Sequence, residues 1–308
     1  MGIETNPRAM SANISRRTAL KQITSTAAVA ATAVSVASRL QAADAAAGAA
    51  VKGRINHSVC KWCYNGVSLE DLCVAGKAMG LKSIELLTIE DFPTLKKHGL
   101  TCAMVSGIPG GIPEGFNRVE YHDKMISWLE MAIPKVADAG MENIICFSGN
   151  RKGKDWQVSD EQGIEISAKG LKRIVGLAEK HKINIVMELL NSKVDHRGYM
   201  CDKSDWGVAL CKAVGSERFK LLYDIYHMQI MEGDVIATIR KQHKYFAHYH
   251  TGGVPGRHEI DETQELNYKP IMEAIVATGF KGFVAQEFIP ARPDVLASLR
   301  QGVNICDV

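Results

Sequence analysis

From Ile55 to the C-terminus, short apolar runs alternate with longer stretches of helical period, and few folds accept that alternation. The strand-like runs fall at residues 55–62, 83–87, 102–107, 143–148, 184–191, 219–224, 246–250 and 282–289. Apolar residues at helical spacing fill the gaps, at 68–79, 91–98, 121–139, 159–182, 204–214, 234–243, 268–278 and 294–305. Gly80, Gly99, Gly140, Gly215 and Gly279 each stand just past a helical stretch, where a helix commonly ends. Ser68, Ser159 and Ser204 stand at helix starts as expected N-caps. The strands are almost continuously apolar, as strands are when helices cover both faces. Eight strand–helix units in about 250 residues is the count of a (β/α)8 TIM barrel, an α/β fold spanning residues 51–308. A doubly wound open sheet is the alternative, but eight complete units and no Gly-rich nucleotide loop disfavour it.

Such barrels carry their sites at the C-terminal ends of the strands. Glu188, Asp224, His250 and Glu287 end the fifth to eighth runs, at steps of 36, 26 and 37 residues, each roughly one strand–helix unit. One polar strand end is usually solvated or capping; four in succession are harder to explain that way. Three carboxylates and an imidazole suit a divalent ion, and the residue types do not rank Mn²⁺, Mg²⁺, Co²⁺ and Zn²⁺. The two glutamates also provide carboxylates for proton transfer.

Residues 1–50 read as a targeting segment and linker. Ser15-Arg16-Arg17-Thr18-Ala19-Leu20-Lys21 resembles a twin-arginine export signal, residues 22–38 carry no charge, and small residues around Ala42 to Ala45 offer cleavage sites. The expectation is export to the periplasm or beyond by the twin-arginine machinery. The uncharged run is too short and too weakly apolar for a stable membrane anchor. Residues 1–42 hold five Lys or Arg and one acid, leaving 32 basic against 33 acidic residues. A near-neutral mature chain has no basic stripe for nucleic acid or an anionic membrane surface. Eight cysteines are spread through the elements and read mainly as small buried hydrophobes. Cys60-Lys-Trp-Cys63 has redox-motif spacing but lies in an extended run, and a bond formed there after export stays open.

With Glu188-Leu-Leu-Asn191, Asp224-Ile-Tyr-His227 and the run from His248 to Tyr268, the segment from about Ile55 to the C-terminus resembles the hydroxypyruvate isomerase group of the xylose-isomerase-like barrels, most specifically in its second half. The stretch carrying the resemblance is His248-Tyr-His-Thr-Gly-Gly-Val-Pro-Gly-Arg-His-Glu259, followed by Glu265-Leu-Asn-Tyr268. Glu188-Leu-Leu-Asn191, Gly198-Tyr199 and Asp224-Ile-Tyr-His227-Met-Gln match as well. The resemblance implies that Glu188, Asp224, His250 and Glu287 bind the metal and that Glu188 and Glu287 act as the acid/base pair. It further implies that His227 and Arg257 bind substrate oxygens, and it allows a homo-oligomer. Hydroxypyruvate isomerases carry Gln where this chain has His250; ketose epimerases carry His there.

Four further residues are candidates. Glu85 is expected to reach substrate from the end of the second strand, and Trp62 to form an aromatic wall. Asn191 is expected to orient a ligand, and His258 to line the mouth. His57, His98, His122, His181, His196 and His243 read as ordinary, and residues 107–115 as a loop that lids the site or merely connects. The implied activity is isomerisation or epimerisation of a small hydroxy-carbonyl compound or sugar through an enediolate. An inosose-type dehydratase on the same metal site is the alternative. An apurinic endonuclease, which would want further metal ligands and a basic groove, and a non-catalytic carbohydrate-binding protein are disfavoured.

Overall fold

The computed structural model describes residues 51–308, so the twin-arginine segment and linker expected over residues 1–50 lie outside the described residues. Six regular strands run parallel: β1 (Asn56–Val59), β2 (Asn143–Cys146), β3 (Asn184–Glu188), β4 (Phe219–Asp224), β5 (Phe246–Thr251) and β6 (Phe283–Gln286). They form one sheet in the order β1-β6-β5-β4-β3-β2. The gap between β1 and β2 is closed by single parallel bridges, Cys60 with Glu85, Ser83 with Thr101, Leu87 with Val105 and Val105 with Ile144. The result is the expected TIM barrel, with its second and third staves present as bridges rather than as regular strands. Leu86 accounts for part of this: its φ of +56° breaks the extended run midway. A side chain also replaces a main-chain partner there, since Ser83 Oγ accepts from the Ala103 amide at 2.8 Å.

The helices depart from expectation in three places. The stretch 159–182 is two helices, Asp160–Lys172 and Val175–His181, interrupted where Ile174 takes φ −118° and turns into the core. Ser68 and Ser159 cap as expected, accepting from the Asp71 and Gln162 amides. Ser204 does not: Lys203 is the N-cap, and the Ser204 amide and hydroxyl are held by Glu232. The third departure bears on function. A helix over Ile225–Met231 starts directly from β4, with Asp224 as its N-cap accepting from the His227 amide at 3.1 Å.

Side chains two apart on a strand share a face. Met104, Ile145, Val186 and Leu222 form a small apolar cluster separate from the large one beneath the helices. Glu188 and Asp224 lie two residues beyond Val186 and Leu222, so they face the barrel interior above this apolar layer. Gly115 closes one side of that end, its Cα so near the Phe147 carbonyl and the Gly149 amide that a Cβ would lie 2.2–2.3 Å from them. With Phe116 and Asn117 bonded to the Phe147 and Ser148 carbonyls, the end of loop 107–115 is pinned as a connection. All eight cysteines are free thiols, Cys60 and Cys63 included. Among the described residues no helix is long and apolar enough to cross a membrane.

Candidate metal centre

The ends of β3, β4, β5 and β6 bring Glu188, Asp224, His250 and Glu287 together. One ligand atom from each lies within 4.8 Å of all the others, and all four residues are buried. His250 turns Nδ1 toward the carboxylates, 2.8 Å from Glu287 Oε2, 3.5 Å from Glu188 Oε1 and 4.0 Å from Asp224 Oδ2. Arg257 reaches in from the loop after β5, with Nη2 2.6 Å from Glu287 Oε2 and 3.6 Å from Asp224 Oδ2. Its guanidinium lies between the rings of Trp62 and Tyr226, at 5.0 and 5.3 Å. Trp62 Nε1 donates to the other Glu287 oxygen at 2.8 Å, which fixes the carboxylate from both sides.

The electrostatics divide the carboxylates. Burial pushes Glu188 upward, and the charge of Glu287 adds to it. Asp224 is pushed well above the usual carboxylate range by the same two causes. Burial also opposes ionisation of Glu287, but His250 and Arg257 outweigh it and hold this carboxyl well below the usual range. Glu188 Oε1 and Asp224 Oδ2 are buried without a hydrogen-bond partner. Oxygens taken out of water and left without donors are costly, and a cation among them would satisfy both. The donor set therefore fits a divalent metal held by Glu188, Asp224, His250 Nδ1 and Glu287.

The remaining expected residues fall into two groups. Asn191 and His227 belong to the site: Asn191 Nδ2 is 2.7 Å from His227 Nδ1, and His227 Nε2 is 3.6 Å from Asp224 Oδ2. Burial, and then the charge of Arg257, hold His227 well below its ordinary value. Glu85 is not at the mouth. It is fully buried behind His250, with Oε1 2.9 Å from His250 Nε2 and 2.7 Å from His248 Nε2. Burial opposes its ionisation, but the two imidazoles outweigh it and bring this carboxyl to about 2. A carboxylate in that place orients the ring that presents Nδ1, the usual support for a ligating histidine. His258 is exposed, with Nδ1 2.9 Å from the Ile289 carbonyl, and the structure does not bring it to the quartet.

Sequence reasoning assigned no role to His248, Tyr226 or Asp195, marked Cys60 only for its redox-motif spacing and left His196 as ordinary. His248 is two residues before His250 on one strand, so period two places it on the same face. Cys60 Sγ is 3.7 Å from His250 Nε2, and the His196 ring packs 5.3 Å from the His227 ring.

A family model for xylose isomerase-like TIM barrels matches residues 77–303. A 2-oxo-tetronate isomerase of Cupriavidus necator is 36% identical over 108 residues, 35% of this chain and 41% of the relative. A putative hydroxypyruvate isomerase of Homo sapiens is 27% identical over 172 residues, 56% of this chain and 62% of the relative. Each match thus spans less than two thirds of the curated relative's length. Among solved structures, one described as AP endonuclease, family 2, from Brucella melitensis has a TM-score of 0.70 at 24% identity, covering 80% of this chain and 96% of that one. At that identity the likeness concerns the fold alone. The family match covers most of the barrel and includes all four strand-end residues: this chain belongs to the xylose isomerase-like TIM barrel family.

Proposed function

We propose that this protein is a metal-dependent isomerase or epimerase that moves a proton between adjacent carbons of a small hydroxy-carbonyl compound, hydroxypyruvate-like or a ketose. The observation that carries this reading is the quartet itself, with two glutamates beside an aspartate and an imidazole within 4.8 Å. The names of the two curated relatives support an isomerase. His250, where hydroxypyruvate isomerases carry Gln, favours an epimerase-like substrate such as a free sugar.

A bound divalent ion would supply positive charge that lowers the cost of an enediolate. The chain's own residues do the rest. One of Glu188 and Glu287 takes the proton from the carbon beside the carbonyl, and the same or the other glutamate returns it. Trp62 and Arg257 hold Glu287 in one orientation, so its second oxygen cannot swing away from the substrate. Arg257 and His227 supply fixed donors to substrate oxygens. The rings of Trp62 and Tyr226, 5.0 and 5.3 Å from the Arg257 guanidinium, help to hold that cation beside Glu287. Export by the twin-arginine route belongs to the same proposal and places the substrate outside the cytoplasm.

The test is metal-reconstituted protein incubated in D₂O with hydroxypyruvate, ketoses and keto-sugars. Deuterium entering next to a carbonyl is the expected result, and loss of a β-hydroxyl instead would identify a dehydratase. No exchange with any compound, and no difference between wild type, Glu188→Gln and Glu287→Gln, would overturn the reading.

A further inference from the structure

Asn191 uses all of its amide hydrogen-bonding capacity. Its Oδ1 accepts from the Val194 amide at 3.0 Å and the Asp195 amide at 2.9 Å. Its Nδ2 faces Asp195 Oδ2 at 2.6 Å and His227 Nδ1 at 2.7 Å. A flipped amide would set an NH₂ group against two backbone N–H groups and an oxygen against a carboxylate, so its orientation is determined by its partners. The Asp195 carboxylate is itself tied down by Tyr226, whose hydroxyl donates to Oδ2 at 2.9 Å.

This has a consequence for His227. The group facing Nδ1 can only donate, so Nδ1 must accept and carries no proton. A ring with one bare nitrogen is neutral, and its proton is then on Nε2. Nε2 is buried, has no hydrogen-bond partner, and is 3.6 Å from Asp224 Oδ2, too far for a hydrogen bond. The His227 amide bonded to Asp224 Oδ1 fixes the residue at the start of its helix, and the rings of Tyr226 and His196 pack on the imidazole at 5.0 and 5.3 Å. A buried N–H without an acceptor, held rigidly at the edge of the quartet, is a place for an oxygen that accepts.

We propose that Asn191 is a positioning residue that fixes His227 as the neutral imidazole protonated on Nε2, so that the site offers a directed N–H donor to the carbonyl oxygen of the substrate. The identity of the accepting oxygen rests on the isomerase reading; the tautomer rests on the geometry alone. A neutral donor stabilises charge growing on that oxygen without giving up its proton. Neither catalytic glutamate is needed for this, and the tautomer does not depend on turnover.

The test is nitrogen-15 NMR of the full chain labelled at histidine, metal-free and with Mg²⁺, with the His227 signals assigned by their loss in His227→Gln. The expected spectrum has a bare Nδ1 and a proton directly bonded to Nε2. In Asn191→Leu no donor faces Nδ1, and Asp195 Oδ2, 3.9 Å from it, can only accept, so protonated Nδ1 appears in the spectrum and kcat falls about 10- to 100-fold, as for loss of a supporting outer-shell partner. Wild-type His227 protonated on Nδ1 would overturn the inference, as would a folded Asn191→Leu with an unchanged spectrum. Should that variant not fold, the wild-type spectrum decides alone. The expected tautomer without proton exchange on any substrate would leave the inference standing and refute the function; exchange with Nδ1 protonated would do the reverse.

Discussion

Replacing Asp224 by Asn separates what this residue does for the fold from what it does for a metal. Asn keeps an oxygen to cap the helix Ile225–Met231, where Asp224 Oδ1 now accepts from the His227 amide, and Asn is as good an N-cap as Asp. What changes is the capacity for a negative charge, which burial and Glu287 already oppose at Asp224 and which Asn lacks altogether. At an effective dielectric of about 20, two carboxylates within 4.8 Å repel Asp224 by about 3.5 kcal/mol each when ionised. Arg257 at 3.6 Å and a protonated His250 at 4.0 Å attract it by about 5 and about 4 kcal/mol. These contributions nearly cancel, and the desolvation of the carboxylate, several kcal/mol, is left without compensation. Asp224→Asn should therefore leave the metal-free protein as stable as wild type or up to about 2 kcal/mol more stable. With metal the order reverses. At a metal concentration 100 times Kd the wild type gains about 2.7 kcal/mol, and a 100-fold weaker variant gains only about 0.4 kcal/mol. For a folded unit of this size that is a rise in Tm of roughly 5–11 °C against roughly 1–2 °C. Calorimetry of chelator-stripped protein with and without Mn²⁺ measures both. A variant destabilised by about 3 kcal/mol without metal, or one with the full metal-induced rise, would refute the reasoning.

Two other substitutions test the support of the site. Trp62→Phe removes the 2.8 Å bond to Glu287 Oε1 and keeps an aromatic ring beside Arg257; losing a hydrogen bond to a charged group should lower kcat/KM about 10- to 100-fold, and an unchanged value contradicts the role given to Trp62. Leu222→Ala opens a cavity in the layer formed with Met104, Ile145 and Val186 beneath the quartet, and chemical denaturation should show a loss of about 2–5 kcal/mol; a loss below about 1 kcal/mol would mean that the barrel interior is not packed at this level.

The quartet was legible because each member closes an apolar run and the runs recur at one strand–helix spacing. Nothing comparable marked its support. Glu85 reads as a strand end like the others, yet the left-handed Leu86 follows it and the two short staves meet only through bridges. It is buried behind His250 rather than turned to the mouth. Tertiary position decided that, and local pattern does not encode it. The helix Ile225–Met231 escaped notice because Asp224 ends the strand and caps the helix at once, leaving no polar loop to mark the change of period. Ser204 shows the converse: a good capping residue at a helix start, taken instead by Glu232 from a neighbouring element. His248 was readable, two residues from His250, once the inward face of β5 was known.

The claim on which the rest depends is that Glu188, Asp224, His250 and Glu287 form one coordination sphere. Crystals grown with Mn²⁺ and measured for anomalous scattering test it directly. The account predicts a single strong peak ligated by His250 Nδ1 and an oxygen from each of the three carboxylates. A peak between Glu85, His248 and His250, or no peak within reach of the four strand ends, would contradict it.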